Sequence, residues 1–293
     1  MQTAEYYKRK IKNANDLQDI VHTMKVLSSV SIRQFERAAE SLGEYYRTVE
    51  MGLQIILDPK LQKRFTYLET GKKSGAIIIL VGSAQGLCGS FDEEIINFTK
   101  EQIEQYHLTD ARFLVLGERI AAQITDQYPI EGFFELPGSV EGINGVSMEL
   151  LMAIEKLQQT QKAGRVFIIH HKPFKKGRFS PRNQFLLPLD KHWLNRLAEK
   201  EWPTNNIPQY SMEAEQLFKH LVRQYLLVSL YRAMAESLAA EHTSRLNAMS
   251  AAEEKIEGRL SELNKRYAQE RHKAITEELL DIQSGFRAVM GEG

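Results

Sequence analysis

The residues best able to do chemistry lie in one short turn, GSAQGLCGS (82–90), between an apolar run and a stretch of helical spacing. Nucleotide-binding folds cradle phosphate at such a turn, because backbone N–H groups converge at the helix start. A P-loop needs a lysine followed by Ser or Thr after its second glycine, and this turn has none. Its glycines, at 82, 86 and 89, do not fit G-x-G-x-x-G either. The turn reads as a tight strand-to-helix connection. Cys88 is the only cysteine and sits near the expected helix start, where a thiol pKa can fall. No histidine is close in sequence to complete a nucleophile pair. His170 and His171 are neighbours at the end of a predicted strand, so they point to opposite faces and make a poor metal pair. The basic run KPFKKGRF (172–179) could meet phosphate or an acidic partner; a solvated loop is the simpler reading. No carboxylate pair or Ser/His/Asp set stands out, so no catalytic, cofactor or metal site is expected.

Composition narrows the class. The 293 residues carry 38 basic and 38 acidic side chains, which gives no electrostatic argument for nucleic acid or an anionic membrane. No eighteen apolar residues run together, so no spanning helix and no direct membrane insertion are expected. The start, MQTAEYYKRKIKNAND, lacks the apolar core of a secretory signal. With a single cysteine, a reducing, cytoplasmic compartment is the natural reading.

The chain breakers then place the elements. All eight prolines, and twelve of the eighteen glycines, fall between positions 59 and 208. Proline removes a backbone donor and clashes with the preceding turn, so the flanking stretches are free to form very long helices. Three segments result: a coiled-coil helix over 1–58, an α/β open-sheet domain over 59–208, and a coiled-coil helix with an apolar tip over 209–293. In the first helix a seven-residue frame catches Ala14, Leu17, Val21, Met24, Ser28, Ser31, Phe35, Ala38, Leu42, Tyr45, Val49, Gly52 and Ile56. In the last it catches Val228, Tyr231, Ala235, Leu238, Leu246, Met249, Ile256, Leu260, Leu263, Tyr267 and Ala274, interrupted by His242, Glu253 and Glu270. At 1.5 Å per residue the two helices span roughly 80 Å and 115–120 Å, more than a compact bundle needs. An antiparallel pair starting level puts Met24 opposite Arg245 and leaves residues from about 267 to 290 unpartnered. That stretch holds Ile275, Leu279, Leu280, Ile282, Phe286, Val289 and Met290, and an apolar tip of this kind requires a receptor.

Between the helices, AIIILVGS (76–83) reads as a strand buried on both faces. Further strands are predicted at 112–117, 129–136, 165–171 and 183–189, with helices over 86–106, 118–127 and 147–161. This alternation predicts a small, largely parallel α/β sheet.

Several motifs then resemble, in order, those of the gamma subunit of the F-type ATP synthase. ERHKAITEELLDIQSGFRA (270–288) resembles the C-terminal signature of that family, matching at Ile275, Thr276, Glu278, Asp281 and Gly285, with Phe286 in place of alanine. EHTSRLNAM (241–249), GLCGS (86–90) and HTMKVLSS (22–29) are similar to further blocks. Ala84-Gln85 replaces the usual Asp-Arg, and His272 the usual glutamine; such departures imply a divergent lineage, of the alternate bacterial kind. The resemblance implies a non-catalytic shaft in a hexamer of alpha and beta subunits, with an epsilon subunit and the membrane c-ring as further partners. It implies a peripheral place on the cytoplasmic face of the bacterial inner membrane, and no cofactor of its own. Matching positions imply contacts with the beta subunits through Met24, Lys25, Arg245, Arg271, His272, Thr276 and Glu278. The main rival is a nucleotide-binding α/β enzyme with helical dimerisation arms; a second is a coiled-coil scaffold without a rotary role.

Overall fold

The computed structural model describes residues 3–57, 75–108, 110–159, 164–174, 177–203 and 208–291, with backbone alone at 191 and 287–290. Pro59, Lys175 and Lys176, and the side chains of Val289 and Met290, lie outside that description. The elements are α1 (Ala4–Ile56), β1 (Ala76–Val81), α2 (Phe91–Gln105), β2 (Ala111–Leu116), α3 (Glu118–Ile124), β3 (Ile130–Phe134), α4 (Val140–Gln159), β4 (Arg165–Phe174), β5 (Arg178–Leu187), α5 (Lys191–Glu199) and α6 (Ala214–Met290). Long terminal helices thus flank a small, mostly parallel sheet, as the breakers predicted. Two compact units are formed, one from Met1–Leu27 with Leu246–Gly293, the other from Ser28–Arg245.

The second unit contains the five-stranded sheet, in order β3-β2-β1-β4-β5. β1 pairs in parallel with β2 and β4, and β2 with β3; only β4 and β5 run antiparallel. Every residue of β1 is buried, and alternate side chains serve opposite faces. Ala76, Ile78 and Leu80 pack with Ile95 of α2 and Ile120 of α3. Ile77, Ile79 and Val81 join the larger core, with Leu150 of α4, Leu194 of α5, Leu53 of α1, and Phe218, Leu226 and Met234 of α6. At about 25 cal/mol per Å² of apolar surface, a buried Leu or Phe contributes about 2 kcal/mol. This layer therefore fixes α6 on the sheet.

Several boundaries differ from the sequence reading. The basic run 172–179 is not simply a solvated loop: Lys172, Pro173 and Phe174 end β4 and pair with Ser180, Phe179 and Arg178 of β5. β5 begins at Arg178, where its polar, edge-strand composition hides the apolar signal. α4 begins at Val140, because Gly142 and Gly145 fall in its first turns, where helical hydrogen bonding has barely begun. The short α5 carried no sequence signal strong enough to see, although the Asp190 side chain caps it by accepting from the His192 N–H at 2.9 Å.

The helix seam is broader than the seven-residue frame. Val21, Ser28, Phe35, Val49 and Ile56 are buried as framed. Leu17 and Tyr45 are instead 54% and 45% exposed. Tyr46, one position later than Tyr45, takes the inner place against Tyr225, with ring centroids 5.8 Å apart. Leu53 likewise buries where Gly52 was framed, and Gly52 admits Leu221 so closely that a Cβ would meet its Cδ2 at 2.7 Å. A straight helix drifts about 20° per heptad against a strict seven-residue repeat, so the inner stripe spans three positions per turn pair.

Register differs too. In the first unit the Lys25 ammonium pairs with Glu253, and Tyr7 hydrogen-bonds Arg266. Lys25 therefore sits about two turns further along α6 than level starts predict. Starts are not level: α6 begins at Ala214, and its Leu221 already meets Gly52 near the end of α1. Gly258 has nothing within 4 Å of a notional Cβ and lies inside an unbroken helix, so it marks neither a break nor a close approach.

Candidate functional site

The turn after β1 is held from two sides. The Asp92 carboxylate accepts from the Ser83 N–H at 2.8 Å and from the Ser83 hydroxyl at 2.6 Å, which ties the turn to the first turn of α2. Gly82 is required there, since a Cβ would lie 2.4 Å from Ile120 Cγ2. From the other side comes α6. The Ala84 and Gln85 N–H groups donate to the Glu241 carboxylate at 2.9 and 3.1 Å. The Arg245 guanidinium donates to the Gly86 carbonyl at 3.2 Å and the Gln85 carbonyl at 3.0 Å, and pairs with Glu241. The Ser244 hydroxyl donates to the Cys88 carbonyl at 2.6 Å. Glu241 and Arg245 are 1% and 2% exposed.

This arrangement decides what the turn can do. Its backbone donors, the groups that would cradle phosphate, already hold an internal carboxylate whose charge a guanidinium balances. A nucleotide would have to displace Glu241 and strand Arg245 in a buried place. Cys88 is buried, and desolvation raises its thiol pKa despite the helix start, so the lowered value considered from sequence is corrected.

The two histidines do point apart. His170 Nε2 lies 3.1 Å from Glu236 on α6, and His171 Nε2 lies 2.9 Å from the Phe91 carbonyl, on the α2 side. A carbonyl only accepts, so His171 carries its proton on Nε2. Burial holds both rings neutral, His171 down to a pKa of about 4. Burial also opposes ionisation of Glu236, but the His170 N–H and the Arg232 guanidinium outweigh it and hold the carboxyl well below its usual range. These groups are structural. Among the described residues no three His, Cys, Asp or Glu side chains form a cluster able to hold a metal.

The sequence-predicted contact residues fall into three places. Met24 and Lys25 are half-buried on α1, with Lys25 engaged by Glu253. Arg271, His272, Thr276 and Glu278 are exposed on α6; the Thr276 hydroxyl donates to the His272 carbonyl at 2.9 Å. Arg245 is buried against the turn. Every described side chain from 271 to 286 is exposed, including Leu279, Leu280, Ile282 and Phe286 at 57–65%. The sequence reading missed Glu241 and Ser244. For Glu241 the signal was present: it and Arg245, four apart, lie on one helix face.

Fold and site together define a helix–sheet–helix protein whose phosphate-like turn is filled by the chain's own side chains. The model of a family described as "ATP synthase" matches residues 3–289, and the chain belongs to that family. A chain of Sulfurovum sp. (strain NBC37-1) named "ATP synthase gamma chain" is 26% identical, covering 96% of this chain and 97% of its own length. One from Buchnera aphidicola subsp. Diuraphis noxia with the same name is 26% identical, covering 99% of each. In fold, the chain is similar to a chain of the Euglena gracilis mitochondrial ATP synthase rotor, with TM-score 0.64, 14% identity and coverage of 93% and 98%. It is also similar to one of the Tetrahymena thermophila mitochondrial ATP synthase central stalk and c-ring, with TM-score 0.59, 19% identity and coverage of 80% and 99%. This places the chain among the gamma subunits, the non-catalytic shaft of the central stalk.

Proposed function

We propose that this shaft couples ion-driven rotation of a membrane ring to ATP synthesis or hydrolysis in a hexamer of alpha and beta subunits. The observation that carries it is the α6 tip, sixteen consecutive exposed residues with large apolar side chains and a family-matching sequence. Apolar groups left in water on a long helix call for a sleeve that surrounds them. Nucleotide and magnesium chemistry belong to the partners. An epsilon subunit and the c-ring complete the assembly, on the cytoplasmic face of a bacterial inner membrane, where the chain is peripheral; no described helix is long and apolar enough to cross.

The functional division follows the chain: helix 1–58, sheet domain 59–208, and helix 209–293 with its tip. Met24, Lys25, Arg245, Arg271, His272, Thr276 and Glu278 supply the beta-subunit contacts. Arg271, His272, Thr276 and Glu278 are accessible, and exposed charged contacts break and re-form at little cost as the shaft turns. Arg245 is 2% exposed in the chain alone and bonded to two carbonyls, so its contact requires the partner to reach it beside the turn. The test is co-expression with alpha and beta subunits, purification through a tagged beta subunit, and assay of ATP hydrolysis. Stoichiometric recovery of this chain in an active complex is expected. Its absence from a hexamer that otherwise forms would refute the proposal.

A further inference from the structure

We infer that Glu241, Ser244 and Arg245 form a torque lock, which keeps the shaft helix from slipping against the sheet when the machine works under load. The inference rests on the rotor reading above. Over residues 218–240, α6 meets the sheet largely through apolar side chains, with the buried Glu236–His170 contact as a polar exception. Apolar contacts are non-directional, and packed helices can shift past one another by small steps or by a whole turn. At residues 241–245 the contact changes kind.

Five hydrogen bonds join these side chains to the backbone of residues 84–88, with both donors and acceptors on the helix. Hydrogen bonds require direction as well as distance, so the set fits one rotation and one height of α6. A slip of one turn one way would bring Ser237 or Leu238 to the place of Glu241, and the other way Ala248 or Met249 to the place of Arg245. None of these can replace a carboxylate or a guanidinium, and the displaced pair, though still bonded to each other, would lose its partners on the turn. The turn is itself anchored: Ser83 is bound to Asp92, and through it to α2, while Gly82 is packed against Ile120. Force on α6 therefore passes through Glu241 and Arg245 to residues 84–86, then to Ser83, β1 and α2.

Glu241→Gln and Ser244→Ala test this in the complete enzyme reconstituted into vesicles, with ion pumping and ATP hydrolysis measured together against a rising opposing gradient. Hydrolysis without a gradient should match the parent. Ions moved per ATP should fall as the gradient grows, with slip raised by about tenfold for Glu241→Gln and less for Ser244→Ala. A purely structural role would lower assembly yield or the thermal midpoint without making the ratio depend on load. Equal ratios at every gradient in both assembled variants would overturn the lock. Where Glu241→Gln does not assemble, Ser244→Ala decides: an unchanged ratio overturns the lock and a load-dependent fall supports it. Failure of the parent chain to assemble refutes the rotor reading itself, a distinct result.

Discussion

Individual side chains in this molecule either lock or wait. Glu241, Arg245, Asp92 and His171 are buried and bonded, whereas Arg271, His272 and Glu278 stand in solvent. Burial carries a pH consequence. His171 and His242 have pKa values lowered to about 4, both mainly by desolvation, with the Arg245 guanidinium also acting on His242. In the unfolded chain each titrates near about 6.5. Below that pH the unfolded chain takes up protons that the folded chain refuses, so stability is full above pH 6.5 and falls as pH drops towards 4. For His171, which is fully buried, the loss approaches about 3 kcal/mol at the low end. Urea titrations at pH 7.5 and pH 4.5 should show it, and His171→Phe should flatten the slope while weakening the fold through the unanswered Phe91 carbonyl.

At the scale of elements, the two long helices divide their labour along their length. Between residues 225 and 245 α6 is buried almost all round, because α1 covers one side and the sheet the other. From 271 to 286 it is bare. Removal of residues 275–293 should therefore leave the sheet-containing unit intact: its melting midpoint should stay within about 2 °C of the full chain, as expected where the described side chains removed are exposed. Coupling or assembly should be impaired in the same variant. A fall in midpoint as large as that from a core substitution would show that the tip belongs to the fold instead. β5 makes the complementary point about legibility. Its paired residues include Arg178, Ser180, Pro181, Arg182 and Asn183, so no apolar run announces it, and only its pairing with β4 defines it.

For the molecule as a whole, coupling is the property that matters, and it belongs to the assembly. Arg271→Glu is expected to leave the fold untouched, since Arg271 is exposed and its charge makes no ion pair among the described residues. The expected change is in pumping efficiency, by roughly threefold for an exposed charged contact worth up to about 1 kcal/mol. A pumping-to-hydrolysis ratio equal to the parent's would remove Arg271 from the contact set. Family membership stands independently of these contacts, because the match runs from residue 3 to residue 289.

The sequence by itself determined the helix–sheet–helix plan, since proline and glycine act on their own local backbone wherever they stand. It also determined that β1 is buried on both faces, that His170 and His171 point apart, and that the turn after β1 lacks a phosphate fingerprint. Only the tertiary structure decided what fills that turn. Glu241 and Arg245 lie more than 150 positions from Ala84, Gln85 and Gly86, and no local pattern records that a helix carboxylate meets those N–H groups. The same holds for helix register. Length and periodicity fix how far each helix reaches, but Gly52 against Leu221 and Lys25 against Glu253 depend on where α6 starts and how it seats on the sheet. Burial of Arg245, which gives an expected partner-contact residue internal bonds as well, follows from that seating.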